Sequence, residues 1–140
     1  MAVVMDTEAL QAFLANDFPQ VNAGGGTAFT VAEVGEGFAV VRLDPDDRHL
    51  RPGGTVSGPT LFGLADFAAY MAILAALGPV ALAVTTNLNI NFLRKAGLAP
   101  IAATARILKL GKRLAVIDIA IESADDLIAH ASATYSIPPR

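Results

Sequence analysis

Asp66 is the residue whose surroundings most favour chemistry. It stands directly before the uncharged run 67–84. A carboxylate beside so much apolar sequence is poorly solvated, and this suits a group that takes a proton from water. The same pattern fits an aspartate that is hydrogen-bonded in the core or that faces a surface groove, so the residues alone leave both interpretations open.

Gly58 is the second candidate. The run Ser57-Gly58-Pro59 is a helix-start signal, because serine is a good N-cap and proline is tolerated in the first turn. Free N–H groups at a helix start point outward with the positive end of the helix dipole, so they can stabilise a developing oxyanion. A glycine needed only for a tight turn is the alternative.

The spacing of these two residues limits how they can cooperate. They are eight residues apart, which is ~12 Å along a helix axis. A donor and a base must each approach one carbonyl group to about 3 Å. One helix therefore does not easily supply both groups, whereas two antiparallel helices from two subunits can. We expect a homodimer whose seam holds two equivalent sites, with Gly58 of one copy facing Asp66 of the other.

Length and composition narrow the class of protein. The 140 residues are 54% hydrophobic and 16% charged, which favours one domain spanning 1–140 and excludes a disordered chain. Charged residues are fewer than the usual quarter, as expected if a partner chain covers apolar surface. With no Cys and only two His, disulfides, zinc fingers and thiol nucleophiles are excluded, and we expect no metal and no cofactor.

Charge is unevenly distributed along the chain, although the formal net charge is only −3. No acidic residue lies between Asp66 and Asp118. Six cations of that segment suit a polyphosphate ligand, and an ordinary solvated face of strand ends is the alternative. The acidic balance and the few aromatics argue against a nucleic-acid partner. The six cations are Arg94, Lys95, Arg106, Lys109, Lys112 and Arg113.

Hydrophobic periodicity predicts an α+β fold. A short amphipathic helix spans 7–18, and an almost wholly apolar helix spans 58–77 before Gly78-Pro79 ends it. A helix that is apolar on nearly all sides must be buried on most of them, which an antiparallel sheet wrapped around it achieves. A polar loop spans 44–56. The predicted strands are 28–34, 38–43, 81–93, 101–110, 114–122 and 127–137.

Alternation within the strand predicted at 81–93 places the even-numbered residues of 86–92 on the core face and three asparagines opposite them. Thr85 precedes that register, so we expect it to face away from the core, toward the subunit seam. An exposed strand threonine without a role fits the same pattern.

The run 67–84 is at the lower length limit for a membrane span, but Gly78-Pro79 interrupts it. A core helix followed by a strand fits better, and we expect no membrane partner. The N-terminal segment has no basic stretch before an apolar run, and Asp6 and Glu8 come early. We therefore expect a cytoplasmic protein.

Three segments carry a pattern that is specific in its order and spacing. They are GGTVSGPTLFGLAD at 53–66, NINFLRKA at 89–96 and GKRLA at 111–115. Together they resemble the PaaI-like acyl-CoA thioesterase branch of the hotdog-fold proteins. The resemblance implies a hotdog fold, in which an antiparallel sheet wraps a long central helix. It also implies hydrolysis of an acyl-CoA thioester to the free acid and CoA, by a homodimer or a dimer of dimers.

Carried over by position, the resemblance implies that Asp66 is the general base or nucleophile. It implies that the backbone N–H of Gly58 polarises the thioester carbonyl and that Thr85 helps to hold the attacking water. Such a hydrolysis needs no metal or cofactor, because a base, preorganised donors and an easily departing thiolate suffice. CoA enters only as part of the substrate.

The chain departs from the family pattern at four positions. Ser57 stands where the family has a histidine, Pro59 replaces the second glycine, and Lys95 replaces the proline of the strand motif. Arg51 stands where the family often has Asn or Gln, and it either contacts the thioester oxygen or only bonds the loop. Gly58 keeps its N–H, so the oxyanion donor survives, and we expect these neighbours to border the substrate.

Other residues are candidates for substrate binding by their position near Asp66 or by their charge. Phe62 and Tyr70 lie near Asp66 on the helix and shape an acyl pocket, unless they are simply core. Four cations are expected to hold the CoA phosphates as point charges or forks: Arg94, Lys95, Lys112 and Arg113.

Two other functions compete with hydrolysis. The loss of the family's His and Asn side chains leaves open a non-catalytic module that binds acyl-CoA. The run His49-Leu50-Arg51-Pro52-Gly53 faintly resembles a stretch of the hotdog acyl-thioester dehydratases and hydratases, in which His49 would be the base. That run lacks the family's Phe and has a different spacing to its second proline.

Overall fold

The hydrophobic periods of the sequence produce two α-helices and eight strands within residues 1–22 and 29–139, the part of the chain that this computed structural model describes. The helices are α1 (Thr7–Asp17) and α2 (Gly58–Leu77). The strands are β1 (Phe29–Gly35), β2 (Phe38–Leu43), β3 (Leu50–Arg51), β4 (Thr55–Val56), β5 (Val84–Phe92), β6 (Ile101–Leu110), β7 (Leu114–Ser123) and β8 (Asp126–Ser136).

Helix α2 begins and ends where the sequence predicts. Ser57 caps its start, because its Oγ accepts a hydrogen bond from the N–H of Thr60 at 3.3 Å. Gly78 ends it in the left-handed region, at a φ of 93°, and donates its N–H to the carbonyl of Leu74. Pro79 cannot continue the helix.

Six of the described strands form one antiparallel sheet in the order β1-β2-β6-β7-β8-β5, and its inner face packs on α2. Large and small side chains alternate across that face. Ile119 of β7 lies between Ala105 of β6 and Ala131 of β8, and all three are fully buried. Such alternation lets side chains interdigitate without voids, so the helix lies close to the sheet.

The burial of α2 explains its apolar circumference. Eleven of its 20 residues are buried. Within the described residues, α2 is also the one helix that is long and apolar enough to cross a membrane by length and composition. Its contacts with the sheet make it the core helix of this fold, as predicted, and the arrangement is the hotdog fold.

Helix α1 closes one side of the fold against the first strand. Asp6 caps its first turn, and Leu10 and Phe13 are among its buried residues. The side chain of Gln11 accepts a hydrogen bond from the N–H of Val31 in β1 at 3.2 Å. These contacts fix α1 at the edge of the sheet, beside α2.

Two segments differ from the prediction. The strand expected from residue 81 begins only at Val84, because tight turns follow the end of α2: the N–H of Ala81 bonds the carbonyl of Pro79 at 2.9 Å. The polar segment 44–56 is not a plain loop, since it contains a 3-10 turn and the small hairpin of β3 and β4. Ala28, at the start of the first predicted strand, lies outside the described residues.

Candidate active site

Asp66 lies in the third turn of α2, and its side chain is directed at the junction of β5 and β8. Its Oδ1 accepts hydrogen bonds from Thr85 Oγ1 at 2.5 Å and from Tyr135 Oη at 2.7 Å. Its Oδ2 accepts no hydrogen bond from residues 1–22 or 29–139. The carboxylate is half-buried, with one oxygen anchored by two hydroxyl donors and the other available.

The expectation that Thr85 faces away from the core is wrong. A β-bulge interrupts β5, because Thr85 pairs with Tyr135 whereas Asn87 pairs with Thr134. Thr86 is therefore the extra residue, and it is exposed. Because a bulge shifts the alternation of a strand by one residue, Thr85 joins the inner face and its hydroxyl reaches Asp66.

Tyr135 is a site residue that the sequence analysis did not single out. It is 3% exposed and follows three buried alanines on the inner face of β8. Burial, together with the neighbouring Asp66 carboxylate, raises the pKa of Tyr135 well above its ordinary value. The hydroxyl therefore keeps its proton and acts as a donor. The available signal was the alternation in 129–135, where this tyrosine is the one polar side chain on a face of alanines.

A cavity of about 440 Å³ opens beside Asp66. The cavity is lined by Phe13 of α1, by Phe18 at the C-terminal end of α1 and by Phe67 of α2. Further lining groups come from the start of β5. A concave, mainly apolar space with a few polar groups is typical of a small-molecule site. The cavity is suited to an apolar group that places a reactive carbon near the carboxylate.

Tyr70 lines this cavity, in keeping with the role expected of it. Its hydroxyl donates to the carbonyl of Ala81 at 2.9 Å, and its ring stacks on that of Tyr135 with centroids 6.4 Å apart. Phe62 lies outside the cavity and is 41% exposed, so within one chain it forms no part of the pocket wall.

Gly58 borders a second, separate cavity of about 370 Å³, which Arg51, Arg94 and Lys95 also line. As the first residue of α2, its N–H has no intrahelical partner, and no acceptor takes it in the part of the chain that the structure describes. A Cβ at this position would lie 3.3 Å from Cζ of Phe92, so glycine suits the close packing here. A free donor among three cations favours a negatively charged oxygen.

Asp66 and Gly58 lie on one continuous helix and border different cavities. Eight helical residues separate them by ~12 Å along the axis. Within a single chain, the free carboxylate oxygen and the free N–H therefore do not reach the same carbonyl group.

The cationic segment does not form one patch in a single chain. Arg94 and Lys95 follow the end of β5, whereas Lys112 and Arg113 lie in the turn between β6 and β7. The strand register across β5, β8 and β7 places that turn beside the start of β5, at the opposite end of the sheet. The expected cluster is thus divided into two pairs of cations. Strand β6 lies between the two pairs in the chain and runs the length of the sheet, so it carries them to opposite ends.

Ser57 and Pro59 form the start of α2, where the Ser57 hydroxyl also pairs with that of Thr60 at 2.8 Å. His49, the base of the alternative dehydratase, is 3% exposed and lines neither of the two cavities described above. Its Nδ1 accepts a hydrogen bond from the N–H of Asp46 at 2.9 Å. This histidine supports its turn through Nδ1, and its Nε2 is buried with no hydrogen-bond partner among the described residues.

The long helix wrapped by an antiparallel sheet, with an aspartate beside an apolar cavity, defines this protein as a hotdog-fold protein with a candidate active site on its central helix. The family model described as the thioesterase superfamily matches residues 53–130, which is more than half of the chain. The chain belongs to the thioesterase superfamily.

Comparison with individual proteins agrees with this assignment. A crystal structure from Silicibacter sp. TM1040, provisionally named a thioesterase, has a TM-score of 0.88 and 44% identity, covering 99% of this chain and 96% of that one. The PaaI protein of the E. coli phenylacetic acid degradation operon has a TM-score of 0.80 and 27% identity, covering 94% and 91%. A provisionally named esterase of Pseudomonas aeruginosa is 32% identical over 100 residues, 71% of this chain and 75% of its own. The PaaI-like resemblance and the predicted fold are confirmed.

The N-cap at Ser57 fixes the first turn of α2 and with it the direction of the Gly58 N–H. We expect Ser57→Ala to lower the free energy of unfolding by about 1 kcal/mol, measured by urea denaturation. Ser57→Asp is the matched control, because aspartate caps equally well and should restore the stability. An equal loss in both variants would contradict a capping role.

Proposed function

We propose that the chain hydrolyses acyl-CoA thioesters in composite sites formed by two copies of itself. Asp66 of one copy activates water, and the Gly58 N–H of the other receives the carbonyl oxygen. The observation that carries this proposal is the state of the Asp66 carboxylate. Its Oδ1 is held by two donors while its Oδ2 remains available beside an apolar cavity.

The reaction follows from these groups. Water at Oδ2 of Asp66 transfers a proton to the carboxylate as its oxygen bonds to the thioester carbon. The carbonyl oxygen becomes an oxyanion, which the N–H of Gly58 and the positive end of α2 stabilise. Collapse of this intermediate breaks the C–S bond, and the CoA thiolate leaves and takes up the proton, which gives the free acid and CoA.

The need for a second copy is supported by the edge of the sheet. Strand β5 is terminal in the sheet order, so its outer N–H and C=O groups have no strand partner among the described residues. Val84, Phe92 and Leu93 on or next to it are more than half exposed. A long edge with apolar side chains is a template for pairing with another strand. Antiparallel pairing of β5 with its copy about a two-fold axis would bring the Gly58 end of one chain beside the Asp66 end of the other.

The same two-fold arrangement accounts for the divided cations. It would place Arg51, Arg94 and Lys95 of one copy beside Lys112 and Arg113 of the other. Cations converging from two chains at the mouth of one site suit the phosphates of CoA. The apolar cavity next to Asp66 is the space available to the acyl group.

Asp66→Asn removes the proton acceptor and keeps the shape of the side chain. We expect thiol release from aliphatic and aromatic acyl-CoAs to fall at least a hundredfold, since general-base catalysis contributes about 10²–10⁴-fold. The measurement is a thiol-trapping assay, with circular dichroism and sizing to confirm that the fold and assembly persist.

Asp125→Asn is the matched control for that variant. Asp125 lies in the exposed turn between β7 and β8 at a φ of 67°, which asparagine tolerates. It should retain full activity. Full activity in Asp66→Asn would contradict the proposed base, and saturable acyl-CoA binding by the unaltered protein without thiol release would favour the non-catalytic module.

The assignment of the two groups to different copies has its own test. Gly58→Pro removes the N–H, and proline is tolerated at the first position of a helix, so we expect kcat to fall about 10²–10³-fold. Gly58→Ala adds a Cβ against Phe92 but keeps the donor, and it should lose much less. Co-expression of Gly58→Pro and Asp66→Asn chains should restore about a quarter of the wild-type activity, because each mixed dimer contains one intact site.

If both groups acted within one chain, no chain in the co-expressed mixture would contain an intact site. Differential tags would show that mixed dimers are present. If those mixed dimers were no more active than the separate variants, the composite site would be contradicted.

The contribution of the cations is tested with two substrates. The double substitution Arg94→Ala and Lys95→Ala should raise KM for an acyl-CoA about tenfold, measured by steady-state kinetics at low salt. The corresponding acyl-pantetheine lacks the nucleotide phosphates, so its KM should change little. An equal rise for both substrates would contradict phosphate binding at this place.

A further inference from the structure

The hydroxyl of Tyr135 meets two acceptors on one residue. It lies 2.7 Å from Oδ1 of Asp66 and 3.0 Å from the backbone carbonyl oxygen of Asp66. We propose that Tyr135 is a positioning residue, which fixes the Asp66 carboxylate so that Oδ2, and not Oδ1, is the oxygen that activates water. This role rests on the proposed function and adds to it a residue from β8, the last strand along the chain.

Hydrogen-bond geometry distinguishes the two carboxylate oxygens. Thr85 Oγ1 at 2.5 Å and Tyr135 Oη at 2.7 Å both donate to Oδ1. These distances are in the short range expected when an ionised acceptor is involved. A doubly engaged Oδ1 is a poor acceptor for a further proton, whereas Oδ2 is left without a partner among the described residues. The proton of the attacking water therefore goes to Oδ2.

The tyrosine is itself held rigidly. Its ring stacks on Tyr70 at an interplanar angle of 19°, and its backbone lies between Thr85 of β5 and Ala115 of β7 in the sheet. Because Oη also contacts the backbone of α2, it ties the side chain of Asp66 to a fixed point of its own helix. Groups held by packing in this way keep a reacting atom within the small tolerance that catalysis requires.

Donation from Tyr135 also replaces part of the hydration that the Asp66 carboxylate loses beside an apolar cavity. The other titratable groups that face this cavity are Tyr70 from α2 and Asp17 from α1. Burial, and secondarily Asp17, raises the pKa of Tyr70, so both tyrosines remain protonated. Among the described groups at this cavity, Tyr135 is the titratable side chain that bonds directly to the Asp66 carboxylate.

Tyr135→Phe removes the hydroxyl and keeps the ring. We expect kcat to fall about tenfold with little change in KM, and the acid limb of the pH profile of kcat/KM to move about one pH unit upward, since one hydrogen bond to the ionised form is lost. Tyr70→Phe is the comparison, because that hydroxyl donates to Ala81 and not to Asp66. It should leave the acid limb unmoved, whatever its effect on KM. A purely structural tyrosine would not move the pH profile.

A wild-type kcat and an unmoved acid limb in a folded Tyr135→Phe would overturn the inference. Should that variant fail to fold, 3-fluorotyrosine can be placed at position 135. It keeps the hydroxyl and donates more strongly, so the acid limb should move downward, and an unmoved limb would again overturn the inference.

Carbon NMR titration of the Asp66 carboxyl separates this question from the proposed function. A higher midpoint in Tyr135→Phe than in the unaltered chain would uphold the contact even if no acyl-CoA were hydrolysed, and equal midpoints would refute it.

Discussion

The anchoring of one carboxylate oxygen by two hydroxyl groups is the interaction on which this site depends. A carboxylate taken partly out of water loses hydration that must be replaced by hydrogen bonds. Thr85 and Tyr135 replace it from two adjacent strands, and they can do so only because they are direct partners in the sheet. The position of the Asp66 carboxylate is therefore tied to the register of β5 and β8 as closely as to the helix that carries it.

That register matters only if the helix lies at the correct height above the sheet. The alternation of Ile119 with Ala105 and Ala131 across three strands leaves room for α2 to pack closely. One larger side chain in this layer would push the helix away, and hydrogen bonds of 2.5–2.7 Å do not survive such a shift. The small residues of this layer thus keep the Asp66 carboxylate within hydrogen-bonding distance of Thr85 and Tyr135.

The parts of the fold that depend on local signals could be predicted from the sequence. Ser57 and Gly78 mark the ends of α2, and strict alternation marks β7, so the helix, most strands and the place of Asp66 follow from neighbouring residues. The bulge at Thr86 could not be predicted, because two consecutive threonines carry no sign of which is the extra one. Tyr135 was missed because its partner is 69 residues away. The division of the cations between two ends of the sheet within one chain was missed because closeness along the chain does not imply closeness across a sheet.

In the proposed dimer, reuse of one helix lets a 140-residue chain supply both halves of the site. A helix has a single N-terminus, so its free N–H groups and positive dipole are available at one end only, and in α2 the base lies ~12 Å further along. To bring the free N–H groups and the Asp66 carboxylate together within one chain would require another long element. The core is already filled by one helix and has no space to bury such an element. The proposed two-fold axis would achieve the same result without added sequence, since it would set the N-terminus of one α2 beside the middle of the other. It would also cover the apolar edge at β5 and so account for the low proportion of charged residues.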